Sequence, residues 1–209
     1  MPERPRVVRT ELILGGQRSG KSRRAEALAQ RWLAESPGHR AVLIATAQPW
    51  DDEMRERIAR HQQDRAARVP GMLAVEEPLA LGTALAQHSD PQTLVVVDCL
   101  TLWLTNCLMP HESAEKHPEH AENDLEFESN RAPDQELPAQ AAMLLIAIRD
   151  AAGPVVLVGN EIGLGVIPMG RETRAFVDAL GRLNQDVAAV CERVTFMAAG
   201  LPLTLKGPA

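Results

Sequence analysis

Apolar residues along the chain fall into short continuous runs separated by amphipathic stretches, the alternation expected of an α/β fold with buried parallel strands. Leu12, Ile13 and Leu14 form the first run; AVLIATA (41–47), Leu94–Val97 and Val155–Val158 form the others. MLAVEEP (72–78) reads as a shorter strand ending at Glu76 and Glu77. Between the runs, helical spacing predicts Lys21–Ala34, with Ala25, Leu28, Ala29 and Trp32 on one stripe. Further helices are expected after a cap at Asp51 or Asp52, up to about Gln87, over Leu100–Leu108 and over about Leu137–Ala151. A long one should cover about Arg171–Arg193, with Phe176, Leu180, Leu183 and Val187 on its core face. Trp103, inside an apolar helix, is expected in the core. TFMAAG and LPLTLK predict two short closing strands around Gly200-Leu201-Pro202. The sum is one α/β domain over 11–209, a mostly parallel sheet flanked by helices.

Composition changes this picture in three places. Residues 1–10 are charged and lack an apolar signal core, which predicts a disordered lead-in. The net charge is −6, but residues 111–136 carry nine acids and two bases, so the remainder is near neutral and offers no basic face for nucleic acid. That Pro-, Glu- and His-rich stretch, about 110–136, is expected to be a mobile acidic insertion. Its His111, His117 and His120 fit a solvated loop better than a metal cluster. Cys99, Cys107 and Cys191 show no C-x-x-C spacing, the mark of free thiols in a reducing cytoplasm. No apolar run approaches the ~18 residues of a membrane span.

The candidate chemistry starts at LILGGQRSGKS, Leu12–Ser22. Gly15, Gly20, Lys21 and Ser22 fit G-x-x-x-x-G-K-[ST], and the required context of strand, loop and helix is present. Glycines let backbone N–H groups close around phosphate oxygens, and a helix N-terminus adds its positive dipole end. Lys21 is expected to reach the β- and γ-phosphates of a nucleoside triphosphate, and the Ser22 hydroxyl to ligate Mg²⁺. Only three lysines stand beside nineteen arginines, and one occupies the position that wants a compact point charge.

Asp98, directly after four apolar residues, has the Walker-B arrangement, where a carboxylate helps to hold Mg²⁺. In PWDDEMRERIARHQQDR, Met54, Ile58 and His61 share a helix face, with Arg57 and Arg65 one turn to either side of the histidine. Spacing alone favours a half-buried helix histidine between solvated arginines; the alternative is a phosphate-facing nucleophile that forms a phosphoramidate. Asn160 and Glu161, at the end of a strand and before a glycine-containing loop, read equally as substrate contacts or as a cap and turn.

Taken together, these segments resemble the bifunctional adenosylcobinamide kinase/adenosylcobinamide-phosphate guanylyltransferases of cobalamin biosynthesis. The resemblance is carried by GGQRSGKS (15–22), ATAQPWDDEMRERIARHQQDR (45–65), DCLTLWLTN (98–106), NEIGLGVIP (160–168), Arg174–Gln185 and AGLPLTLK (199–206). It implies a RecA-like P-loop NTPase fold with short C-terminal antiparallel strands, and a homotrimer. It implies phosphorylation of adenosylcobinamide by ATP or GTP, then GMP transfer from GTP through a GMP–histidine intermediate, at the position matched by His61. Nucleotide contacts carry over to Gly15, Gly16, Gln17, Arg18, Ser19, Gly20, Lys21 and Ser22, to Ala45, Thr46 and Ala47, to Gln62, Gln63, Asp64 and Arg65, and to Glu76 and Asp98. The insertion at 110–136 is the main departure from the pattern. Two rival readings keep the P-loop: a kinase without guanylyl transfer, and a nucleotide-binding regulatory switch. Against the switch, no N-K-x-D guanine-recognition motif occurs.

Overall fold

The computed structural model describes residues 6–109 and 133–208. The elements are β1 (Thr10–Gly15), α1 (Lys21–Glu35), β2 (Arg40–Ala45), α2 (Asp52–Arg68), β3 (Leu73–Glu76), α3 (Leu81–His88), β4 (Thr93–Asp98), α4 (Leu100–Leu108), α5 (Pro133–Asp150), β5 (Val155–Val158), α6 (Arg171–Val190), β6 (Arg193–Ala198) and β7 (Leu201–Lys206). They build a seven-stranded sheet in the order β3-β2-β4-β5-β1-β6-β7, parallel throughout except for the antiparallel pair β6–β7. The strand feeding the phosphate loop (β1) and the strand ending in Asp98 (β4) are therefore not neighbours. β5 lies between them, the RecA-like order.

The apolar runs are continuous because the central strands are covered on both faces. Alternate residues of β1 go opposite ways. Leu12 and Leu14 join Leu81, Leu85, Trp103, Leu144, Leu180 and Val187 in the core under α3–α6. Ile13 faces the other layer, with Ala25, Leu28 and Ala29 of α1 and Leu43 and Val96 of the sheet. Trp103 is fully buried, as expected, and its indole N–H donates to the Leu79 carbonyl at 2.8 Å. The closing hairpin turns on Ala199 and Gly200, at φ 51° and 80°. Two successive left-handed residues make the type I′ turn that matches the twist of paired strands.

Several boundaries differ from expectation. The second strand stops at Ala45, and Thr46 beyond it is tied to the residue after β4: Oγ1 donates to the Cys99 carbonyl at 2.7 Å and accepts from the Cys99 N–H at 2.9 Å. Helix α5 begins at Pro133, four residues inside the stretch read as insertion, since proline is well placed in a first helical turn. The rest of that insertion, with His111, His117 and His120, lies outside the described residues. Order begins before residue 11: Val8 is buried and Thr10 pairs with Val155.

The helix expected to reach Arg193 ends at Val190, and Arg193 opens β6 instead. Its guanidinium is 2% exposed and lies 3.1 Å from the carboxylate of Glu11, itself 1% exposed. Glu11 also accepts from Arg24 and from the Thr195 hydroxyl, both at 2.8 Å. Arg193 further donates to the carbonyls of Arg6 and Pro208, at 2.6 and 2.9 Å, and so holds both ends of the described chain.

Candidate functional site

A cleft of about 570 Å³ opens along the carboxyl ends of the parallel strands, where open α/β sheets bind ligands. The loop between β1 and α1 forms its floor. Gly15 has φ 150°, and a Cβ there would stand 2.4 Å from the Met197 carbonyl oxygen, so only glycine lets β6 lie against the loop. Gly20 (φ 103°, ψ 10°) caps α1 without a side chain, which leaves the first helical N–H groups to a ligand. The closing hairpin braces the loop from behind, the Gly200 N–H donating to the Ser19 carbonyl at 3.0 Å.

Lys21 is 8% exposed and donates to the Gly16 carbonyl at 2.7 Å, folded back over its own loop. Burial lowers its pKa below the ordinary lysine value. Cys99 and Asp98 oppose that shift, and the Arg57 cation reinforces it. Burial pushes the Cys99 thiol itself up to about 12, so at neutral pH the opposing charge is that of Asp98. A half-desolvated ammonium beside arginine favours an incoming polyanion.

Ser22 and Asp98 line the same cleft. A hydroxyl and a carboxylate suit a hard cation that takes its remaining oxygens from phosphates and water, as Mg²⁺ does. Among the described residues no cluster of three or more His, Cys, Asp or Glu forms a self-sufficient metal site.

Helix α2 supplies a further part of the lining. Asp51 caps it, accepting from the Met54 N–H at 2.7 Å, and Asp52 and Glu53 occupy its first turn. The helix has no buried residue, because its apolar positions are few. His61 is accordingly exposed rather than half-buried, and it borders the cleft together with Arg57 and Arg65. Gln62, Asp64, Glu76, Ala45 and Ala47 also line the cleft, as do Gln17, Arg18, Ser19 and Gly20. Four expected nucleotide contacts do not: Gly15, Gly16 and Gln63 are outside the lining, and Thr46 is fully buried, its hydroxyl bonded to the Cys99 main chain.

Some lining residues carried no signal in the sequence. Glu26 and Arg68 are 2.9 Å apart across α1 and α2, and Arg68 also pairs with Asp64 at 3.0 Å. Of the two ambiguous residues after β5, Asn160 lines the cleft. Glu161 makes a turn, its carboxylate accepting from the Gly163 N–H at 2.7 Å.

Residues 11–205 match the sequence family described as cobinamide kinase / cobinamide phosphate guanyltransferase. The chain is 44% identical over 197 residues to the bifunctional adenosylcobalamin biosynthesis protein CobP of Pseudomonas aeruginosa, covering 94% of this chain and 97% of that protein. It is 34% and 33% identical to the proteins named bifunctional adenosylcobalamin biosynthesis protein CobU in Escherichia coli and Salmonella typhimurium, covering 93% of this chain and 98% of each.

Proposed function

The chain belongs to the cobinamide kinase / cobinamide phosphate guanyltransferase family, and on that premise we propose that one cleft serves two reactions in turn. In the first, the alcohol of adenosylcobinamide attacks the γ-phosphorus of ATP or GTP, and the nucleoside diphosphate leaves. In the second, the His61 imidazole attacks the α-phosphorus of GTP. The bond to the β-phosphate breaks and pyrophosphate leaves, with GMP held on the histidine as a phosphoramidate. An oxygen of adenosylcobinamide phosphate then attacks the same phosphorus, the P–N bond breaks, and adenosylcobinamide-GDP and neutral imidazole result.

The observation that carries this reading is that the phosphate loop and His61 border one cleft. Phosphoryl transfer asks for positioning and charge neutralisation more than covalent work. Lys21 and the loop N–H groups supply both at the phosphates, and Arg57 and Arg65 flank the histidine. Ser22 and Asp98 would hold Mg²⁺, which would neutralise further phosphate charge. Exclusion of water by the bound substrates keeps the phosphoramidate for the second acceptor.

The same reading has the protein act as one cytoplasmic domain, without nucleic acid. The near-neutral charge outside residues 111–136 and the absence of a disulfide among Cys99, Cys107 and Cys191 support it. No helix among the described residues is long and apolar enough to cross a membrane. Assembly as a homotrimer is supported by β7, an edge strand whose Leu201, Leu203 and Leu205 are all exposed.

Intact mass after incubation with GTP and Mg²⁺ tests the proposal. Wild type should gain the mass of one GMP, and the adduct should be lost in acid. His61→Asn should form none yet keep part of its kinase turnover. Lys21→Ala should lose at least ~100-fold in kinase turnover, as removal of a phosphate-stabilising cation predicts. An adduct on His61→Asn, or none on wild type, overturns the guanylyl-transfer step.

A further inference from the structure

Asn160 is held more tightly than a turn residue requires. Its backbone N–H donates to the Thr101 hydroxyl at 2.8 Å, and its carbonyl accepts from the Asn184 carboxamide at 3.1 Å. Thr101 and Asn184 are themselves 8% and 5% exposed, on α4 and α6. The residues on either side are tied to the strand that feeds the phosphate loop. Gly159 N–H donates to Ile13 at 3.0 Å, and Glu161 N–H donates to Gly15 at 3.1 Å. Gly159 admits no side chain without displacing a neighbour, since a Cβ would lie 3.1 Å from Leu14 and 3.3 Å from Asn184.

Four hydrogen bonds thus fix the backbone around one residue relative to the phosphate loop. Its own carboxamide has no bonded partner among the described residues, and the residue lines the cleft. A polar group preorganised in this way, with its hydrogen-bonding capacity unspent, suits charge that develops in a reaction.

Position within the sheet selects the reaction. Asn160 follows β5, which lies between β1 and β4, and so stands on the side of Lys21 and Asp98. His61 enters instead on α2, the helix that follows β2. We propose that the Asn160 carboxamide is a catalytic donor for the kinase step, giving an N–H hydrogen bond to the γ-phosphoryl group in flight. The alcohol oxygen bonds to the γ-phosphorus as the bond to the β,γ-bridging oxygen breaks, and the alcohol proton passes to water. The inference rests on the two-reaction reading above.

The test compares wild type, Asn160→Ala and Asn160→Asp, both of which keep the main-chain bonds to Thr101 and Asn184. Kinase turnover with adenosylcobinamide, nucleotide KM, the rate of GMP-adduct formation and Tm are measured on each. In Asn160→Ala the ratio of kinase turnover to adduct-forming rate should fall about 100-fold, the scale for loss of one preorganised donor, with nucleotide KM within roughly threefold. Asn160→Asp, which places a carboxylate against the phosphoryl oxygens, should fall further. Kinase turnover within about threefold of wild type in either variant overturns the proposal. So does a parallel loss of both activities with a lowered Tm, which marks a folding residue. A wild type without kinase turnover overturns the two-reaction reading itself.

Discussion

The guanidinium of Arg68, on the last turn of α2, lies 2.9 Å from the carboxylate of Glu26, two turns into α1. The helix between Arg68 and His61 buries nothing, so hydrophobic packing does little to set its angle over the phosphate loop. The pair links α2 to the helix that the phosphate loop itself begins. It stands on one partly shielded partner, Glu26 at 11% side-chain exposure, rather than on two solvated ones.

Arg68→Ala is therefore expected to slow GMP-adduct formation about tenfold while kinase turnover stays within roughly threefold, and Arg68→Lys to recover part of the loss. Lysine restores the charge but not the fork that reaches Glu26 and Asp64 together. Single-turnover mass spectrometry and steady-state kinase kinetics read the two steps separately. Equal losses in both would show that the pair maintains the fold and does not seat α2.

Glu11→Gln removes the charge that two arginines share, one of them 2% exposed. Breaking a buried pair from one side costs ~3 kcal/mol, because the remaining cation stays desolvated. For a chain of this size that corresponds to a Tm lower by roughly 6–12 °C. Thermal unfolding followed by circular dichroism measures it, and an unchanged Tm would contradict the buried network.

Burial holds the thiols of Cys99 and Cys191 up to about 12, against 9.0 for an exposed thiol. Between those values the unfolded chain releases protons that the folded chain keeps. Stability is thus fully present below about pH 9 and falls as pH rises, by on the order of 1 kcal/mol per pH unit for each thiol. Lys21, whose pKa burial lowers, works in the opposite direction and offsets part of the fall. Urea midpoints at pH 8, 9 and 10 should decline in wild type, and decline less steeply in Cys191→Ala. Parallel curves would rule the thiol out as the source.

What the sequence made legible is what local pattern determines. The strands before the phosphate loop and before Asp98 appear as apolar runs of three and four residues, and Trp103 as core, because burial on both faces favours continuous apolar sequence. Less legible were residues whose partners are remote along the chain. Arg193 looked like the tail of a helix; its place in β6 depends on Glu11, 182 positions away. Thr46 looked like a small residue at a ligand-binding strand end; its hydroxyl is committed to Cys99, 53 positions on. The helix bearing His61 was readable from its cap and spacing. Its lack of any buried face was not, because Met54 and Ile58 look like the start of a core stripe until the neighbouring surface is known.

The grip of Arg193 on residues 6 and 208 bears on how the molecule can be handled. Arg193 opens a strand of a parallel sheet, so both contacts lie at the rim where those strands start, whereas the cleft opens at the rim where they finish. A tether attached at Arg6 or Pro208 leaves from the back of the molecule. Molecules anchored to a support by that route would all stand with their clefts turned outward to the solution, open to a substrate as bulky as a corrinoid.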